Sequence, residues 1–153
     1  MAGAGTMRGH FSPAMTMHLI DIGANLTHDS FDRDRDAVLD RARQAGVVQM
    51  VITGASREHS PLALQLAQQH PGFLYATAGV HPHHAVEYTE ECDAEMRALH
   101  AHPEVVAVGE CGLDYFRDFS PRPSQHRAFE RQLQLAADNG KPLFLHQRDA
   151  HAD

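Results

Sequence analysis

Five apolar stretches, each closed by a polar residue, recur roughly every 30 residues along the chain, and this rhythm limits the fold more than any other feature. Leu19-Ile20 runs into Asp21, Val47–Ile52 into Thr53-Gly54, and Phe73–Val80 into His81. Val105–Val108 runs through Gly109 into Glu110, and Pro142–Leu145 into His146. The intervening segments carry helical spacing. Phe31, Val38, Ala42 and Ala45 lead to a stop at Gly46. Ser60-Pro61 predicts a helix start ahead of Leu62 and Leu66, with an end at Pro71-Gly72. Thr89 predicts a cap before Cys92, Met96 and Leu99. Ser124 predicts another before Phe129, Leu133 and Ala136, with Asn139-Gly140 as a left-handed stop.

Repeated strand–helix units imply parallel strands joined by right-handed crossovers. Two architectures fit: a five-stranded doubly wound sheet, or a TIM-type (β/α) barrel truncated after about the fifth strand. A doubly wound domain covers its last strand with a helix and commonly carries a glycine-rich loop after its first. Here only Gln147–Asp153 follow the last strand, and no such loop follows Leu19-Ile20. The expectation is therefore an α/β chain with an incomplete barrel over residues 17–153. The Gly- and Ala-rich residues 1–16 are expected to form a disordered extension.

Composition narrows the function. No apolar run approaches the ~20 residues of a membrane helix, and the N-terminus lacks the apolar segment of a signal peptide. Cys92 and Cys111 make no disulfide framework. A cytoplasmic location without membrane contact is the expectation. The formal net charge of −7 argues against holding nucleic acid on a broad cationic surface. It leaves room for local phosphate contact through a metal ion.

The candidate chemistry lies at the strand ends, because in a parallel barrel these all meet at one face. Asp21, His81, Glu110 and His146 stand there, and Asp, Glu and His are ligands for hard and borderline divalent metals. Glu110 and His146 follow strands with no other polar residue. A carboxylate or imidazole there is costly unless it binds metal or forms a structural ion pair. Alternation puts Asp21, Gly23 and Asn25 on one side of a strand, so Asn25 either neighbours a metal or makes a turn. His83, His84, Asp114, Arg117, Arg122, Arg148 and Asp149 read as loop residues, of which the arginines suit phosphate. Tyr115 and Phe116 pack the rim or stack on a base. Cys111 reads as a packing residue.

Four stretches, taken in order and spacing, resemble the successive motifs of the TatD family: Asp21–Leu26, Ala78–His83, Val108–Asp114 and His146–His151. The most specific are GECGLD followed by HQRDA. This resemblance implies a metal-dependent hydrolase barrel of the amidohydrolase type acting on DNA. It implies metal ligation by Glu110 and His146, with His81 and Arg148 contacting or orienting phosphate. Asp21 and Asn25 replace the HxH of many relatives, which is similar to the magnesium-dependent 3′–5′ exonuclease branch. The family's further His and Asp come from later strands, which this chain does not include. The expected cofactor is a divalent metal, Mg2+ ahead of Mn2+ or Zn2+. The expected partner is single-stranded DNA or DNA 3′ ends, with a monomer as the full-length state. Two rivals stand beside this reading: an inactive truncated fragment, and a metal-dependent hydrolase of an ester or aminoacyl substrate.

Overall fold

Strands and helices alternate throughout the computed structural model, which describes residues 17–153; the extension expected over residues 1–16 lies outside the described residues. The order is β1 (Leu19–Ala24), α1 (Arg35–Gln44), β2 (Val47–Ile52), α2 (His59–Gln69), β3 (Leu74–Ala78), α3 (Glu90–Leu99), β4 (Val105–Asp114), α4 (Arg122–Asn139) and β5 (Leu143–Arg148). Short 3-10 turns occupy Asp29–Phe31 and Pro82–Glu87. Among the described residues, no helix is long and apolar enough to cross a membrane.

The sheet order β1-β2-β3-β4-β5 is strictly sequential and every neighbouring pair is parallel. A doubly wound sheet reverses its strand order at a switch point. No reversal occurs here, so the chain winds in one direction, as a barrel wall does. The wall is strongly curved. In a flat sheet β1 and β5 stand about 19 Å apart. Yet a Cβ added at Gly23 on β1 meets the ring of Phe144 on β5 at 3.3 Å.

The helices cover the convex face. Leu39, Ile52, Leu74, Met96, Val108 and Leu135 are wholly buried between the two layers. Thr89 accepts from the Cys92 amide and caps α3, and Gly140 ends α4 at φ +65, both as the sequence predicts. Ser60 and Ser124 behave differently. Both lie inside the first turn of their helices, behind Glu58 and Pro121 at the N-caps. Ser60 is buried, and its hydroxyl joins the backbone of Gly79 instead, donating to the carbonyl at 3.0 Å and accepting from the amide at 3.2 Å. A tertiary partner has outcompeted the local cap.

Three strands, β1, β4 and β5, run further than their apolar stretches. β1 continues to Ala24, so Asp21 lies within the strand, its Oδ1 accepting from the Gly23 amide at 3.1 Å. β4 continues to Asp114 because β5 pairs with it beyond an irregularity at Gly109/Cys111, as far as Asp114↔Arg148.

At the opposite end of the sheet, Lys141 Nζ donates to the carbonyls of His100 and Val105 at 2.7 and 2.6 Å. Lys141→Met removes two charge-assisted bonds and is expected to cost about 2 kcal/mol in denaturant unfolding. The strand-end histidines should be undisturbed, with unchanged ring NMR signals.

Candidate metal centre at the strand ends

Three elements deliver the central side chains. His81 follows β3 and opens the Pro82–Glu87 turn, Glu110 lies on β4, and His146 lies on β5. Each offers one ligand-type atom, and these atoms lie within 4.8 Å of one another. His146 Nδ1 sits 3.1 Å from Glu110 Oε1, and His81 Nε2 sits 3.7 Å from the same oxygen. The His81 and His146 rings meet edge-on with centroids 4.2 Å apart.

Backbone hydrogen bonds aim these residues. The His81 amide donates to the Ala55 carbonyl at 2.9 Å, and the Glu110 amide donates to the Gly54 carbonyl at 2.8 Å. The loop after β2 therefore anchors two site residues at once. His81 is buried, and burial, followed by the neighbouring His146 and His83, pushes its pKa down to about 3. It is neutral near pH 7. Its Nδ1 accepts the His83 amide at 3.1 Å, which assigns the ring proton to Nε2, facing Glu110. His81 thus presents an N–H donor to the centre.

Asp114 is the residue that sequence reasoning underrated. It is 1% exposed, at the end of β4 and not free in a loop. Its Oδ2 lies 2.8 Å from His83 Nε2 and 3.1 Å from His146 Nε2. Its Oδ1 accepts from the amides of Phe116 and Arg117 at 3.1 and 2.8 Å. Burial raises its pKa, but the Arg117 amide and the two histidines outweigh that and hold it at about 2. His146 bridges the two carboxylates, with Nε2 turned to Asp114 and Nδ1 to Glu110. A histidine bonded to a carboxylate through one nitrogen and directed at a metal by the other is a recurrent ligand arrangement. Glu110, Gly112 and Asp114 fall at alternate positions of one strand, so period-2 spacing was the available signal for Asp114 once β4 was extended past Val108.

The other expected residues fall outside this three-residue group. Asp21 and Asn25 are exposed and do not belong to the three-residue group. Arg148 ends β5, and its guanidinium lies 3.9 Å from the centroid of the exposed Phe116 ring. Arg122 lies over Tyr115 at 4.1 Å. Phe119, also exposed, packs on His83 with centroids 4.7 Å apart. His84 turns away to Glu87. Cys111 is fully buried, and burial pushes its thiol up to about 12, so it packs and does not react.

The model of the family described as TatD related DNase matches residues 20–153. The chain belongs to the TatD related DNase family. Its TatD relatives include the 3′-5′ ssDNA/RNA exonuclease TatD of Musicola paradisiaca, 51% identical over 134 residues, covering 88% of this chain and 51% of the relative. The protein of the same name from Edwardsiella piscicida is 54% identical over 134 residues, covering 88% and 52%. Among solved structures, the TatD homologue YJJV from Escherichia coli K12 superposes with a TM-score of 0.81 at 31% identity, covering 90% of this chain and 54% of that one. A TatD family hydrolase from Entamoeba histolytica gives 0.78 at 31% identity, covering 92% and 53%. The chain thus spans about half the length of the TatD relatives it matches, and its five strands form a half-barrel.

Proposed function

We propose that the protein, when its barrel is complete, is a metal-dependent hydrolase that removes nucleotides from the 3′ ends of single-stranded DNA or RNA. The observation that carries this reading is the convergence of Glu110 and His146 from adjacent strands, with Asp114 orienting the imidazole. One carboxylate and one imidazole fit a divalent cation. Relatives named as 3′-5′ ssDNA/RNA exonucleases support the substrate class.

Glu110 and His146 hold the metal in this reading, and Asp114 fixes the tautomer of His146. When bound, a divalent cation polarises a phosphate oxygen and lowers the pKa of a coordinated water. His81 donates its Nε2 proton as a hydrogen bond to a phosphate oxygen; being neutral, it does so without repelling the cation. Arg148 pairs with phosphate at the rim, and the Phe116 ring beneath it limits the conformations of its side chain. Asp21 on β1 and Asn25 just past its end are candidates for a second, water-mediated cation contact. Mg2+ would suit a site where oxygen ligands predominate, whereas Mn2+ or Zn2+ would accept the imidazole more readily. A cytoplasmic monomer is the setting we assign, with the buried thiols of Cys92 and Cys111 reduced.

The test uses the full-length protein and a 5′-labelled single-stranded oligonucleotide. A ladder of 3′-shortened products should appear with Mg2+ or Mn2+, vanish with a chelator and return when the cation is restored. Cleavage that persists in chelator would remove the metal from the mechanism. Hydrolysis confined to carboxylic esters would replace the nuclease reading with the ester-hydrolase one.

A further inference from the structure

Helix α4 carries two fully buried glutamines, Gln125 and Gln132, which neither the metal ligands nor the apolar core account for. They are seven residues apart, two helical turns on one face, or about 10 Å along the axis. Gln132 Oε1 accepts the Val80 amide at 2.8 Å, and its Nε2 donates to the Val80 carbonyl at 3.0 Å. Gln125 repeats the arrangement on Asp114, accepting its amide at 2.8 Å and donating to its carbonyl at 3.2 Å. A side-chain amide thus takes the part of a neighbouring peptide at both sites.

The placement is specific to the site. Pairing between β3 and β4 ends at Ala78↔Val108, so Val80 lies past the ladder with a buried backbone. His81 is the next residue. Asp114 is the last residue of β4 and the partner of His83 and His146. Each glutamine is itself fixed by a third bond, Gln132 to the Ala128 carbonyl at 3.1 Å and Gln125 to the Ser120 carbonyl at 2.8 Å. Gly79 leaves room for this crossing, since a Cβ there would lie 2.5 Å from Gly109 Cα and 2.7 Å from Gln132 Oε1.

We propose that Gln132 and Gln125 are positioning residues: Gln132 sets the backbone that aims His81, and Gln125 sets the backbone that aims Asp114 and through it His146. The assignment of roles rests on the metal reading above. The backbone clip that each glutamine forms is testable without metal, because the two glutamines govern different histidines, Gln132 His81 and Gln125 His83 and His146. Methionine preserves length and volume and removes both hydrogen bonds, leaving the backbone groups unpaired.

The experiment records histidine-ring NMR spectra of the metal-free full-length protein and its Mn2+ affinity, for wild type, Q132M, Q125M and Leu39→Ala. Leu39→Ala is a core truncation in α1, away from the strand ends, and controls for lost stability. Q132M should shift the His81 resonances and leave Mn2+ affinity within about threefold. Q125M should shift those of His83 and His146 and weaken Mn2+ binding about tenfold or more, as loss of an outer-shell partner does. Leu39→Ala should do neither. Ring signals that stay at wild-type positions in both glutamine variants would overturn the proposal, as would a Leu39→Ala spectrum changed in the same way. If wild type binds no Mn2+, the functional reading fails, and the ring signals alone decide the clip. Should a methionine variant not fold, the glutamate variant, which keeps the acceptor, is judged by the same signals.

Discussion

Glu110→Ala is expected to lose metal affinity and hydrolysis together, each by at least about 100-fold, since even outer-shell partners of a metal are worth 10- to 100-fold. Glu110 Oε1 is the atom shared by both strand-end histidines, at 3.1 Å from His146 and 3.7 Å from His81. Among the described residues, removing it leaves His146 with Asp114 as its one remaining carboxylate partner. The fold should survive, because the backbone bond from Glu110 to Gly54 does not involve the side chain. Titration with Mn2+ and a 5′-labelled oligonucleotide assay on the full-length protein read the two losses separately. Wild-type cleavage by this variant would remove Glu110 from the chemistry, and retained affinity with lost cleavage would recast it as a base.

Gly112→Ala is expected to be the most damaging small substitution, costing about 4 kcal/mol or more and preventing accumulation of folded protein if stability is ordinary. Gly112 adopts φ +141, a conformation that side chains disfavour. A Cβ there would run into the carbonyl of His146, a backbone atom that cannot swing aside. Relief requires β5 to move away from β4 at the register Gly112↔His146, where the candidate ligand sits. Stability and metal affinity should therefore fall together. Denaturant unfolding checks the first, and a midpoint within about 1 kcal/mol of wild type would show that the β4–β5 contact is more pliable than its geometry implies.

Much of the site was legible from spacing because parallel strands bring their ends to one face whatever the chain between them. His81, Glu110 and His146 each follow an apolar stretch, and they do converge. Asp114 and His83 were less legible. Both stand in motifs that look like loops, and Asp114 joined the centre only because pairing with β5 carried β4 six residues past Val108. Asp21 and Asn25 were expected on one strand face, but β1 ends at Ala24 and its register shifts between Asp21 and Ala24, so the alternation does not carry through to Asn25. The glutamines of α4 had no sequence signal, since a glutamine on a helix usually faces water.

Local chemistry determined a great deal here: where chain segments extend or coil, the Thr89 and Gly140 helix ends, and the parallel strand–helix rhythm. These depend on side-chain size, polarity and backbone freedom within a few residues. Tertiary structure alone decided the curvature that brings Phe144 against Gly23, the use of Ser60 to hold Gly79 in place of a helix cap, and the two amides that grip Val80 and Asp114. The physical reason is that a buried backbone amide or carbonyl must find a partner, and beyond the end of a ladder that partner comes from whichever element packing has placed nearby.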